Sequence, residues 1–135
     1  MKDGIFYVVF RNSGHGFGEG TVVINNNKIN GGDPNHTYSG HIEDNLVKLT
    51  VHKHRKSALS IFDQESNYRI NLTFQESGFG FSLKGHVEDN QNITIEADAK
   101  FIGELAIWLF KKPIFVFFYY LLNYITALFL SKATL

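Results

Sequence analysis

His52 and His54 stand two residues apart in an alternating stretch, a spacing that turns both imidazoles to one face of a strand, where they could share a metal ion. A closed site needs four ligands, and His41 or His86 would have to come in across a sheet to supply more. The chain has no cysteine, which removes thiolate sites and disulfides. The pair is therefore expected on a solvent-facing strand, with no metal and no cofactor. Lys53-His54-Arg55-Lys56 is a basic run that could touch phosphate. It lies in an acidic segment with no helix to enter a groove, which argues for a solvated strand end and against direct nucleic-acid binding. Gly14-His15-Gly16-Phe17-Gly18-Glu19-Gly20 has the glycine density of a phosphate loop. It lacks the Gly-Lys-Ser/Thr of the P-loop and the strand–helix context of a dinucleotide site, so a hairpin with closely packed backbones is expected. No Ser/His/Asp set stands out by spacing and paired carboxylates fall only at turns. The expectation is a protein that is not an enzyme.

The elements that must position these residues divide at Glu104. Residues 1–104 carry all 13 acidic groups against 10 basic ones, and 105–135 carry only Lys111, Lys112 and Lys132. The first segment has the size of one domain. Its N-terminal apolar stretch, Ile5 to Phe10, is too short for a signal peptide, so export by the usual route is not expected. The Asn-x-Thr triplets at Asn35, Asn71 and Asn92 are explained as strand and turn composition rather than glycan acceptors.

Period-two alternation runs through residues 1–104. Ile93, Ile95, Ala97, Ala99 and Phe101 share one face; so do Tyr68, Ile70, Leu72 and Phe74; Phe79, Phe81, Leu83 and Val87; and Val47, Leu49 and Val51. Such strands have one apolar and one wet face, as in an antiparallel sheet over a single core. Ile5 to Phe10 is apolar on both faces, which predicts a strand with its second face covered. Further strands are expected at 18–24, 28–30 and 37–42, separated by Asn25-Asn26-Asn27 and Gly31-Gly32-Asp33-Pro34. The sum is eight strands in an up-and-down meander, with a short extra strand conceivable at Ala58–Phe62.

Two hairpins repeat nearly the same residues 45 positions apart, Gly40-His41-Ile42-Glu43-Asp44-Asn45 and Gly85-His86-Val87-Glu88-Asp89-Asn90. Alternation turns both histidines outward and Ile42 and Val87 inward. Either the two form matched acidic loops for a partner, or Asp-Asn is a good turn that the sheet uses twice.

The tail is a different material. Pro113 to Leu130 is an 18-residue run without charge, about 27 Å long as a helix and close to the thickness of a bilayer core. Three readings stand: a membrane anchor with its N-terminal side in the cytosol, as Lys111-Lys112 against the single Lys132 suggest; an apolar element closing the barrel or an oligomer; or a drifted or frameshifted end.

The strings Lys2-Asp3-Gly4-Ile5-Phe6, Gly18-Glu19-Gly20, Gly31-Gly32-Asp33, Tyr38-Ser39-Gly40 and Ala99-Lys100-Phe101-Ile102, in this order and at fitting intervals, resemble the GrlR family. That family is named for the negative regulator of a type III secretion pathogenicity island. The likeness covers residues 2–104 and implies an all-β, antiparallel, eight-stranded, calycin- or lipocalin-like barrel that forms a homodimer in the cytoplasm. It also implies a virulence regulator that sequesters a transcriptional activator by protein–protein contact. The acidic Glu-Asp-Glu-Asp loop of the namesake corresponds here to Glu43-Asp44-Asn45-Leu46, so only Glu43 and Asp44 carry over as partner-binding residues.

The sequence thus predicts a barrel domain over 1–104 and a hydrophobic, helical tail over 105–135, with 113–130 as the candidate transmembrane segment tethering the domain to the inner membrane. The expected role is non-enzymatic regulation through a protein partner. The alternative is a barrel holding a small apolar ligand, opposed by the bulk of the inward residues Tyr68, Phe74, Phe79, Phe81 and Phe101.

Overall fold

Alternation over most of the first hundred residues commits the chain to strands, and eight strands with one apolar face each can bury it only by closing on themselves. The computed structural model describes residues 1–12, 15–56, 67–78, 80–106 and 111–133, with the backbone alone for 15, 17, 111–116 and 133. Its strands are β1 (Gly4–Asn12), β2 (His15–Asn25), β3 (Lys28–Gly32), β4 (His36–Glu43), β5 (Leu46–Lys53), β6 (Asn67–Ser77), β7 (Gly80–Val87) and β8 (Asn90–Gly103). They form a closed antiparallel barrel in sequence order. Closure is made by β1, where Phe6 lies opposite Val22 on β2 and opposite Phe101 on β8. Among the described residues each strand is paired on both sides, so none is a free sheet edge.

The inward faces are those the alternation marks. Val47, Leu49 and Val51, Tyr68, Ile70 and Leu72, and Ile95, Ala97 and Ala99 are all buried. Phe6, Ile24, Leu72 and Ile95 are enclosed almost completely, each stabilising the fold by roughly 1.5–3 kcal/mol relative to exposure. Turn chemistry sets the register. Asn26 and Asn27 take φ of 50° and 62° between β2 and β3, the paired left-handed conformation of a tight hairpin, which asparagine tolerates.

Three local expectations are revised. β2 starts at His15, not Gly18, because Gly16 and Gly18 pair with Arg11 and Phe10 across a bulge. His54 lies beyond β5, its amide bonded to the Asn35 carbonyl at 3.0 Å, so it does not share a strand face with His52. The outward face of β1 is not covered: Ile5, Tyr7 and Val9 are half-buried. The repeated Gly-His pair has a cause in the barrel itself. A Cβ on Gly40 would stand 2.0 Å from the Lys48 carbonyl oxygen, and one on Gly85 1.8 Å from that of Asn71. Strands bend there so closely onto their neighbours that only glycine fits. The Ala58–Phe62 strand and Phe79 lie outside the described residues.

The chain divides into two compact units, Met1–Leu105 and Ala106–Leu135. The second contains the helix α1 (Lys111–Ala133), 23 residues long. From Phe117 to Lys132 every described side chain is exposed. Among the described residues no helix is long and apolar enough to cross a membrane, so the span expected at 113–130 gains no support. Tyr119, Tyr120, Asn123 and Tyr124 place polar atoms at its middle. Asn123 and Thr126 turn theirs back on the helix, donating to the carbonyls of Tyr119 and Leu122 at 3.0 Å each.

Candidate functional site: the open end of the barrel

An up-and-down barrel sends alternate turns to opposite ends. The turns β2–β3, β4–β5 and β6–β7 share one end with the start of β1 and the finish of β8. The sequence-predicted residues Glu43 and Asp44 lie at this end, in the β4–β5 turn. Asp44 is the exposed tip, at a φ of 54°. Glu43 points outward and is held on both oxygens: His41 Nε2 lies 2.9 Å from Oε1 and Lys48 Nζ 3.4 Å from Oε2. Hydrogen bonding from His41, then from Lys48, keeps its carboxyl below the usual range. Glu43 is thus a fixed carboxylate and Asp44 a free-standing one. The turn is fastened to the next strand but one, since the Asn45 carbonyl accepts from the Phe74 amide at 3.2 Å.

Phe74 opens the second part of the site, which the sequence did not reveal. An open cavity of about 610 Å³ lies among Phe6, Phe74, Phe81 and Phe101, with Lys2 and Glu76 on its lining. The rings run in a chain. Phe101 meets Phe6 edge-on at 5.6 Å between centroids, Phe6 meets Phe81 at 6.1 Å, and Phe81 meets Phe74 edge-on at 5.7 Å. Lys2 reaches over this group, its Nζ 3.6 Å from the centre of the Phe101 ring. The signal for Glu76 was present: it shares the parity of Phe74 and sits opposite Phe81. Lys2 carried no pattern, because it precedes the first strand.

Deeper in, the described side chains leave little room in the pocket that they line. An apolar void of about 30 Å³, between residues such as Val8, Phe10, Leu49 and Met1, is all that this interior pocket offers. That is room for about one water and no polar partner for it.

At the opposite end, the described β3–β4 and β7–β8 turns carry structural bonding. Glu88 of the second acidic hairpin donates its amide to the Arg69 carbonyl at 2.9 Å and faces Arg69 Nη1 at 3.9 Å. Asp33 organises the β3–β4 turn, with Oδ1 accepting from the amides of Asn35 and His36 at 2.7 Å each and lying 3.2 Å from His36 Nδ1. Its Oδ2 accepts from the Tyr38 hydroxyl. Burial works against the Asp33 carboxylate, but the bonds from Tyr38, Asn35 and His36 outweigh it and hold its pKa below the ordinary value. Burial, then Asp33, pushes the Tyr38 phenol far up. His36 Nε2, on the far side of the ring from Asp33, is buried and meets no hydrogen-bond partner among the described residues. His52 Nδ1 is engaged by Asn67 and His54 Nε2 lies 3.1 Å from the Asp33 carbonyl, so the two histidines do not converge. Among the described residues no group of three His, Asp or Glu side chains could hold a metal.

Compared with models of protein families and with curated proteins, the chain matches none.

Proposed function

We propose that this chain is a non-enzymatic regulator that binds a basic surface of another protein through the open end of its barrel. By the resemblance to the GrlR family, the partner is a transcriptional activator that it sequesters in the cytoplasm. The observation that carries the reading is the Glu43–Asp44 turn: one carboxylate fixed by His41 and Lys48, one exposed at the tip, both fastened to Phe74 through Asn45. A preset acidic group beside an apolar mouth is what an interface with a basic protein requires. The test is capture of partners by wild type and by a Glu43→Lys/Asp44→Lys variant. A protein held by the first and lost by the second supports the reading. The same partners on both overturn it.

The rival, a barrel around a small apolar ligand, has the mouth cavity in its favour and the small size of the interior void beside Phe10 and Leu49 against it. A second copy of the chain is the proposed cover for the half-buried strip of β1. Ile5 lies opposite Val23 on β2, and the 53 % exposed Ile102 of β8 adds to the apolar surface of the unit. Sedimentation of an Ile102→Glu variant as a monomer, where wild type is a dimer, is the expected result.

A further inference from the structure

We infer that the aromatic mouth is a receptor for a lysine or arginine side chain of that basic partner, and that Lys2 is the internal stand-in which the partner displaces. The inference rests on the proposed function, and it adds the place and chemistry of the anchor. The structure already shows an alkylammonium on an aromatic face, Lys2 Nζ at 3.6 Å from the Phe101 ring centre. Ring faces are negative, and a cation within about 6 Å of the centroid is attracted to them. Phe101 is braced for this by Phe6, which is fully buried and meets it edge-on. The cavity of about 610 Å³ between Phe101 and Phe74 leaves room for a second, longer side chain.

The opening carries charges of both signs, with Lys2 and Glu76 on the cavity lining and the Glu43–Asp44 turn beside it. Glu76 lines the cavity and belongs to no ion pair among the described residues. The Asn45–Phe74 bond joins the Glu43–Asp44 turn to the cavity wall, so one basic segment can place one side chain over the rings and the next ones against the acids. Lys2 itself has no carboxylate partner among the described residues, which makes it a cation that can be exchanged.

The experiment uses the full chain and a fluorescent octalysine peptide, read by anisotropy at low salt, with n-butylammonium and octanoate as competitors. Freeing the ring by Lys2→Ala should tighten the peptide about two- to fivefold, the worth of one exposed cation–aromatic contact. Lys28→Ala, which removes an equal charge from the start of β3 at the same end, should tighten it less. Phe101→Leu should weaken it by a similar factor, as should Glu76→Gln, an exposed change that leaves the core alone. Butylammonium should compete and octanoate should not. If Lys2→Ala merely equals Lys28→Ala and neither Phe101→Leu nor Glu76→Gln weakens binding, the mouth proposal falls. Loss on Glu43→Lys/Asp44→Lys would then still sustain the basic-partner reading. If octanoate competes and Lys2→Ala abolishes that competition, the mouth takes an amphipathic acid and the proposal is overturned. No peptide binding by any form would overturn both readings.

Discussion

Glu43 and Glu88 occupy the same place in two nearly identical hairpins, yet they stand at opposite ends of the barrel, because β4 and β7 run in opposite directions between the ends. The shared residues have shared structural causes. Each hairpin needs a glycine where its strand bends onto a neighbour, a buried Ile42 or Val87 next to the turn, and turn-forming Asp-Asn. What differs is the surroundings. Glu43 borders the aromatic mouth through Asn45 and Phe74, whereas Glu88 is bonded to Arg69 at the other end.

That separation makes one hairpin the control for the other. Reversing Glu43 and Asp44 to Lys should slow association with a basic partner and cost more than neutralising them to Gln and Asn, since repulsion replaces attraction. The same reversal at Glu88 and Asp89 should leave binding nearly intact. Wild-type affinity should fall as salt rises from 0.1 to 1 M, over which screening shortens from ~10 to ~3 Å. Surface plasmon resonance gives both rate constants, and equal losses at the two hairpins would indicate general charge steering with no site.

The glycines of the two hairpins carry a stability prediction. A methyl group at Gly40 or Gly85 meets a backbone oxygen at 2.0 or 1.8 Å, which cannot be relieved by a side-chain rotation. Gly40→Ala and Gly85→Ala should each destabilise the fold by about 1–3 kcal/mol, the range of overpacking. Gly18→Ala is the comparison, as nothing lies within 4 Å of its added Cβ. Urea midpoints that move equally in all three would show that the sheet yields at Gly40 and Gly85.

Much of the barrel was legible because its physics is local. Alternation in Val47–Val51, Tyr68–Phe74 and Ile93–Phe101 states which face is buried, and the Asn run and Asp-Asn pairs state where strands turn. Phe74, Phe81 and Phe101 were marked as inward, but not as a mouth. Inwardness is a matter of parity, while their half-burial belongs to the open end, where β6 runs on past the start of β5 and β8 past the start of β7. The roles of Lys2 and Asp33 were hidden for a related reason. Lys2 reaches a ring 99 residues on, and Asp33 gathers bonds within a turn that no alternation describes.

The tail should be separable from the barrel fold. The unit Met1–Leu105 contains every strand, and α1 contributes 23 helical residues. A chain ending at Leu105 should keep the sheet signature in circular dichroism and lose the helical one. It should also be more soluble than the full chain, as the ring of exposed Phe, Tyr and Leu side chains from Phe117 to Leu130 goes with the tail. Collapse of the sheet signal on truncation would mean that the helix contributes to the barrel's stability.

Acid should find the barrel through Asp33. Its carboxyl is below its ordinary value in the folded chain, so the folded state holds on to the ionised form more strongly than the unfolded state does. The stabilisation is therefore fully present above about pH 4–5, where the unfolded carboxyl is already ionised. It is lost as pH falls through the lowered folded value, because there the native carboxylate must take up a proton and release its donors. Asp33→Asn keeps the shape but not the charge. At pH 7 it should cost roughly 1–3 kcal/mol, the scale of hydrogen bonds to a charged group and of donors left unmatched. Tyr38→Phe removes a single donor and should cost less, about 1 kcal/mol. The decisive comparison is the slope of unfolding free energy between pH 5 and pH 2, measured by urea titration at each pH. Wild type should lose stability steeply in that window and Asp33→Asn less so, with Tyr38→Phe between them. Parallel slopes in all three would remove Asp33 as the acid-sensitive group and shift attention to the remaining carboxylates, of which Glu43 is, among the described residues, the other with a lowered value.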